Sequence, residues 1–397
     1  MMKKRFRLSL AVFLALLLCV PAFSVSAADN VVFLSDSGTG DGSSPDKATN
    51  DLFTAYENLD LTKNCTIVIC GVFTQQMNFN WCEEYTGSVT FTSVYGGKDY
   101  RTEGASYQFK PGRFVCWGDT RFENMDFVAL GTNLLVIGQH HPLTVGEGVT
   151  MTGASMTGEN IAKAFCLLGG YQSGQDDPPL DSDKDVNITV LSGSSIYIVP
   201  FSRNIAGNYT GTAHIRIGGN AQVSVLHGSA AYPDGVVLGK VDVTVEENAH
   251  IDNFYGCTNN VEMESFTLTW LGGTFGGNDG NAFEWCCHYT PGKTFTATKG
   301  TLLRYGAAVK SNANFAEIAA IFDRVEETAT EAPKTTTAAS VTTEAPVTTA
   351  APATTVPGAG ESTPDTGDAM WVIVAAALAS ASMVVMITAK AKKKTQE

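Results

Sequence analysis

Five short stretches constrain the fold of this chain by their spacing. Val186-Asn187-Ile188-Thr189-Val190, Ala213-His214-Ile215-Arg216-Ile217, Val241-Asp242-Val243-Thr244-Val245, Phe266-Thr267-Leu268-Thr269-Trp270 and Thr294-Phe295-Thr296-Ala297 are centred at 188, 215, 243, 268 and 295. The intervals are 27, 28, 25 and 27 residues. Each stretch alternates an apolar with a polar side chain, the period of a strand with one buried face. So constant an interval marks a repeat architecture. A small-residue turn and a second short strand follow several of them, as in Ser192-Gly193-Ser194-Ser195-Ile196-Tyr197-Ile198 and Gly218-Gly219-Asn220-Ala221-Gln222-Val223-Ser224-Val225. A circuit of about 27 residues with two or three short strands predicts an all-β fold, a right-handed parallel β-helix. At about 4.8 Å per coil, residues 29–327 would make roughly eleven coils and a rod near 53 Å long.

The ends of that segment read as caps. Asp36-Ser37-Gly38-Thr39-Gly40-Asp41-Gly42-Ser43-Ser44-Pro45 leads into a helix with Ala48, Leu52, Phe53, Tyr56 and Leu59 on one side, and Cys65-Thr66-Ile67-Val68-Ile69-Cys70-Gly71 begins the coils. Together with Thr120-Arg121-Phe122-Glu123-Asn124-Met125-Asp126-Phe127, this first half resembles the pectin-lyase-like superfamily. The resemblance implies the β-helix with a helical cap over its open end, where strand edges would otherwise be bare. At the other end, Asn314-Phe315-Ala316-Glu317 makes a capping box. Phe315, Ile318, Phe322 and Val325 follow at helical spacing, predicting a C-terminal cap helix.

The flanks say where the domain is displayed. Residues 1–28 carry Lys3, Lys4, Arg5 and Arg7, an apolar run from Leu8 to Val20 and Ser24-Val25-Ser26-Ala27-Ala28, the three parts of a secretory signal peptide. Cys19 is no lipoprotein acceptor, because Leu18 before it is too bulky. Residues 328–362 collapse to Thr, Ala, Pro, Val and Glu, as in Thr342-Thr343-Glu344-Ala345-Pro346. Such a segment has no core to bury and reaches roughly 110 Å when extended, a stalk able to cross a thick wall. Residues 363–397 hold Thr363-Pro364-Asp365-Thr366-Gly367, an uncharged apolar span over 369–389 and a tail over 390–397 with Lys390, Lys392, Lys393 and Lys394. The span would make about 31 Å of helix, enough to cross a bilayer, with a positive-inside stop behind it.

Pentapeptide, span and basic tail in that order resemble the LPxTG cell-wall sorting signal of Gram-positive surface proteins, with Thr363 where leucine is usual. The resemblance implies recognition by a sortase and cleavage between Thr366 and Gly367. The threonyl carboxyl then passes to an amine of peptidoglycan, and membrane contact is limited to the C-terminal span before the cut.

Charge and cysteines exclude several classes. The leader holds four bases, and the chain beyond Thr366 holds four bases and two acids. Without both, the formal charge moves from −14 to −20. So acidic an ectodomain does not hold nucleic acid or anionic lipid through a general field. Eight cysteines remain without framework spacing, several of them in apolar runs (Cys70, Cys166) where they read as small buried hydrophobes.

Candidate chemistry is sparse. A lyase on this scaffold needs calcium held by several carboxylates beside a basic residue, and a hydrolase needs paired carboxylates. The outward positions of the aligned strands are Asn187 and Thr189, His214 and Arg216, Asp242 and Thr244, Thr267 and Thr269, a mixed polar face in which no second acid faces Asp242. Asp181, Asp183, Asp185 and Asn187 could converge on calcium, though Val186 and Ser192 break the EF-hand loop. Trp81 with Tyr85, in an expected loop, offers rings for stacking on sugars, whereas Trp270 reads as core. His140-His141-Pro142 and Cys286-Cys287-His288 lack partners at ligand spacing.

The sequence thus predicts a wall-anchored surface protein with no firmly expected cofactor, working as an adhesin or glycan-binding display protein towards an extracellular glycan or a host or bacterial surface. A polysaccharide lyase or glycoside hydrolase, and a purely structural wall protein, are the alternatives.

Overall fold

The computed structural model describes residues 30–328 apart from 76–77, 132–133, 154–164, 171–180, 202–207, 230–236, 259–261, 277–282 and 288–299. The leader, the stalk beyond Thr328 and the sorting signal lie outside these residues. Among the described residues no helix is long and apolar enough to cross a membrane.

The domain is all-β, built from parallel sheets. An eleven-stranded sheet runs in chain order through Val31–Leu34, Cys65–Ile69, Ser88–Thr92, Asp119–Glu123, Leu143–Val145, Val186–Val190, Tyr209–Ile217, Val237–Val245, Glu262–Trp270, Gly300–Tyr305 and Phe322–Glu327. Between successive visits the chain contributes to a nine-stranded parallel sheet, which includes Gly112–Val115, Leu134–Ile137, Phe165–Leu168, Ile196–Val199 and Gln222–His227. A four-stranded sheet of Val72–Gln75, Ser106–Phe109, Asp126–Ala129 and Thr150–Thr152 accompanies the first half.

Alternation in the sequence becomes two faces in the sheet. One inward row passes through Val89, Thr120, Leu143, Ile188, Ile215, Val243, Leu268 and Leu303, paired rung to rung and all buried. Beside it, Ile67, Phe91, Phe122, Val145, Val190, Ile217, Val245, Trp270 and Tyr305 form a second buried row. Trp270 is core, as expected. Phe91 and Phe122 stack at 5.2 Å, and Phe122, Phe127 and Phe165 continue the aromatic column at 5.2 and 5.3 Å.

The spacing of 27, 28 and 25 residues from Val186 to Phe266 holds, since Val186 pairs with Ala213, Ala213 with Val241 and Val241 with Phe266. It does not hold elsewhere. Arg121 and Thr144 are paired at 23 residues, and Thr144 and Thr189 at 45. Sheet register fixes where a circuit must return, while the loops between sheets take any length. In the last full circuit the strand beside Glu262–Trp270 is Gly300–Tyr305. The stretch 294–297 expected there lies outside the described residues.

Both caps differ from expectation. The N-terminal helix is short, Leu52–Glu57, held by the Asp51 carboxylate accepting the amides of Phe53 and Thr54 at 3.2 and 3.1 Å. It buries Leu52, Ala55 and Tyr56, but Phe53 is exposed. Of the expected C-terminal cap helix Phe315–Ala319 is α-helical, and Asn314 makes no side-chain cap. Phe322–Glu327 is the last strand of the large sheet, with Phe322 against Gly300 and Val325 exposed. Phe322 and Val325 therefore belong to a strand and not to the expected helix.

Candidate functional site

Much of the outer side of the nine-stranded sheet is apolar and covered. Leu135, Ile137, Cys166, Leu168, Tyr197, Val199 and Val225 form an apolar cluster there and are buried. The outer side of the eleven-stranded sheet is the reverse: Asn187 and His214 are exposed, and the residues two places on are half-exposed.

One row on that face repeats. Following the pairing from rung to rung gives Thr66, Thr90, Arg121, Thr144, Thr189, Arg216, Thr244, Thr269 and Arg304. Between Val31 on the first strand and Glu326 on the last, it is threonine, threonine, arginine, three times over. Arg304 is exposed and the other eight are half-buried. With rungs about 4.8 Å apart, the arginines stand about 14 Å from one another. None of the six threonine hydroxyls has a hydrogen-bond partner among the described residues.

Neighbouring carboxylates hold two of the arginines. Arg121 donates from Nε and Nη2 to Asp119, at 3.3 and 2.8 Å, and this bond raises the guanidinium pKa above its ordinary value. Arg216 donates from Nε and Nη2 to the two oxygens of Glu246 at 2.8 and 3.0 Å, and that Glu246 side chain is 10% exposed. In both, the Nη1 group keeps no partner among the described residues. His214 lies 3.7 Å from Asp242, and Lys240 lies 3.4 Å from Glu264. The face is polar and locally charge-balanced. Asp242 is paired across the sheet with His214 and Thr267.

The residues singled out in the sequence fall elsewhere. Tyr85 is buried, 7% exposed, with its ring against Gly118 and its hydroxyl 2.6 Å from that of Thr120. Burial pushes its phenol pKa far up. It presents no face to a sugar, which corrects the expectation of an exposed loop residue. Trp81 is half-buried 5.2 Å from the ring of Tyr56, and its Nε1 is buried without a partner. The pair belongs to the packing around the N-terminal helix.

Asp181, Asp183, Asp185 and Asn187 are all exposed. Two of them serve the next circuit: Asp181 accepts the amide of Asn208, and Asp185 that of Thr212, each at 2.7 Å and 27 residues on. Among the described residues no three His, Cys, Asp or Glu side chains come together around a point that could hold a metal. His288 and residues 363–367 lie outside those residues.

Two other places carry polar chemistry. Gln139 and His140 both have left-handed backbone (φ 52° and 66°), in the turn that brings His141 to 3.9 Å from Glu84. Glu84 is also 3.7 Å from Lys184. Burial pushes His140 down to about 4 and lowers His141, which favours the neutral ring in each. A cavity of about 410 Å³ is lined by Glu247, Asn248, Gly272, Gly273, Thr274 and Ser311 among others. At its edge the Thr274 hydroxyl is 2.6 Å from His250 Nδ1, whose Nε2 is 3.0 Å from Asp252. That line fixes the imidazole.

No family model matches this chain, and neither the curated proteins nor the solved structures contain a match. The geometry of the chain is therefore the ground for its function. The sequence pointed to the face between Asn187 and Thr269 but missed its extension through Thr66, Thr90, Arg121 and Thr144. A search for polar residues flanked by apolar ones on strands of irregular spacing could have found them.

Proposed function

We propose that this chain is a Gram-positive surface protein, anchored by a sortase to peptidoglycan through Thr366, whose ectodomain is a right-handed parallel β-helix that binds an extracellular glycan on its eleven-stranded face. Thr363-Pro364-Asp365-Thr366-Gly367, the apolar span 369–389 and the basic tail 390–397 support the anchoring, and the leader 1–28 supports secretion. Three sheets visited in turn, all with parallel pairing, support the helix.

One observation carries the binding function: six half-exposed threonine hydroxyls with no hydrogen-bond partner among the described residues alternate, two by two, with three arginines, of which carboxylates hold Arg121 and Arg216. Polar groups left unpaired on a rigid face are ready to bond a ligand with little ordering cost. Many weak contacts along a rod, multiplied over copies on one wall, give avidity.

The test is incubation of the chain with plant, host and bacterial polysaccharides, with and without calcium, following both retention and new reducing or unsaturated ends. Retention without cleavage is expected. Cleavage would make the protein an enzyme, and the absence of both signals would rule out a glycan as the ligand.

A further inference from the structure

The threonine-arginine row carries more than a polar character: it has a length unit. From the pairing of Thr66 with Thr90 to that of Thr269 with Arg304 the row is unbroken across nine rungs. Arginine occupies every third rung. A fully extended, equatorially linked pyranose polymer advances by roughly 5 Å per sugar, close to the spacing between neighbouring strands. Laid across the strands, such a polymer meets one rung per sugar and one arginine per three sugars.

The charges around the row select the class of polymer. Asp119 and Glu246 already neutralise Arg121 and Arg216, and Glu264 and Asp242 stand against Lys240 and His214. The chain as a whole carries a formal −14. A polyanion would have to displace these carboxylates and approach against that net charge. An uncharged polyol meets neither obstacle. Its hydroxyls can accept from the guanidinium Nη1 groups and exchange bonds with the threonine hydroxyls, which both donate and accept.

Resting on the glycan-binding function above, we infer that the Thr66–Arg304 row is a measured track for an uncharged linear polysaccharide. One sugar occupies each rung, and an arginine grips every third sugar. A ligand needs four sugars to span two arginines and seven to span all three.

The experiment is calorimetric titration of the full chain in mild detergent with uncharged oligosaccharides of two to nine sugars, from the polymer class retained in the screen. Affinity is expected to step up by about tenfold between three and four sugars and again between six and seven, the scale of one charge-assisted contact. Arg304 is exposed and has no partner among the described residues, so Arg304→Gln leaves the fold intact. It is expected to abolish the second step and keep the first. Arg216→Gln, checked for folding by circular dichroism, is expected to remove the step between three and four sugars for ligands centred on it.

A smooth rise with length, a plateau below four sugars, or steps that survive both substitutions would overturn the track while leaving a glycan-binding protein. Salt-sensitive retention of acidic polymers with none of neutral ones would overturn the uncharged class. Retention of no polysaccharide at all would overturn the glycan function itself.

Discussion

Arg216 and Glu246 join adjacent circuits by two parallel hydrogen bonds of 2.8 and 3.0 Å, thirty residues apart in the chain. The acid is almost enclosed, and the Arg216 guanidinium stands against its carboxylate. Such a pair fixes the plane of the arginine more than it stabilises the fold. Removing one partner is another matter, because the other is then left desolvated.

Arg216→Ala is accordingly expected to cost about 1–3 kcal/mol, and Arg216→Ala with Glu246→Ala less than the two changes summed. Urea denaturation of the four proteins reads this coupling. Additive effects would show that the pair holds nothing.

Inward and outward positions on one strand should behave oppositely. Leu268 is fully buried, so Leu268→Ala is expected to cost about 2–5 kcal/mol, whereas Thr267→Ala beside it stays within about 0.5 kcal/mol. The same denaturation midpoints measure both. Equal costs would mean that the strand is out of register.

Gly211 and Gly239 sit on adjacent rungs, and a Cβ at Gly239 would run into the Gly211 carbonyl oxygen. The obstacle is backbone, which cannot turn away. Gly239→Ala is expected to lose about 1–3 kcal/mol, the range of overpacked cores. A thermal unfolding series against Gly96→Ala separates this clash from a loss of turn freedom, since a Cβ at Gly96 meets nothing within 4 Å and its φ is +59°.

His227 gives the domain an acid-sensitive point. The ring is buried, 2.6 Å from the Tyr197 hydroxyl, and burial drives its pKa from 6.5 to about 3. Folding therefore favours the neutral ring. The stability it carries is whole above pH 6.5, shrinks as pH falls below that, and is gone by about 3. Between pH 6.5 and 4, Tm should fall more steeply for the native chain than for His227→Gln. Parallel curves would place the acid sensitivity elsewhere.

Much of this fold was legible in the sequence, and the illegible parts have physical causes. Between Val186 and Trp270 the loops are of similar length, so alternation and spacing together reveal register. From Thr66 to Thr144 the strands alternate equally well, but loops of unequal length hide which polar residue stacks on which. The face was thus visible in fragments, and its threonine-arginine row was not. Tyr85 sits in an acidic stretch, Glu83-Glu84-Tyr85-Thr86, that reads as a loop. The ring lies so close to Gly118 that a Cβ there would run into it, a contact the local sequence does not reveal. Phe315, Ile318, Phe322 and Val325 fit a helical stripe, yet pairing of Phe322–Glu327 with Gly300–Tyr305 outweighs local period at the end of a sheet.

Tyr85→Phe should cost about 1 kcal/mol through the lost bond to Thr120, with glycan retention unchanged. Retention that falls while the fold survives would return the site to the N-terminal aromatics.

The most direct measurement is arginine footprinting of the full chain with and without a retained polysaccharide, read by mass spectrometry after phenylglyoxal labelling. Binding along the eleven-stranded face predicts that Arg121, Arg216 and Arg304 are protected together, while Arg113, on the nine-stranded sheet, labels as before. Protection of Arg113 with the three row arginines unchanged would contradict it.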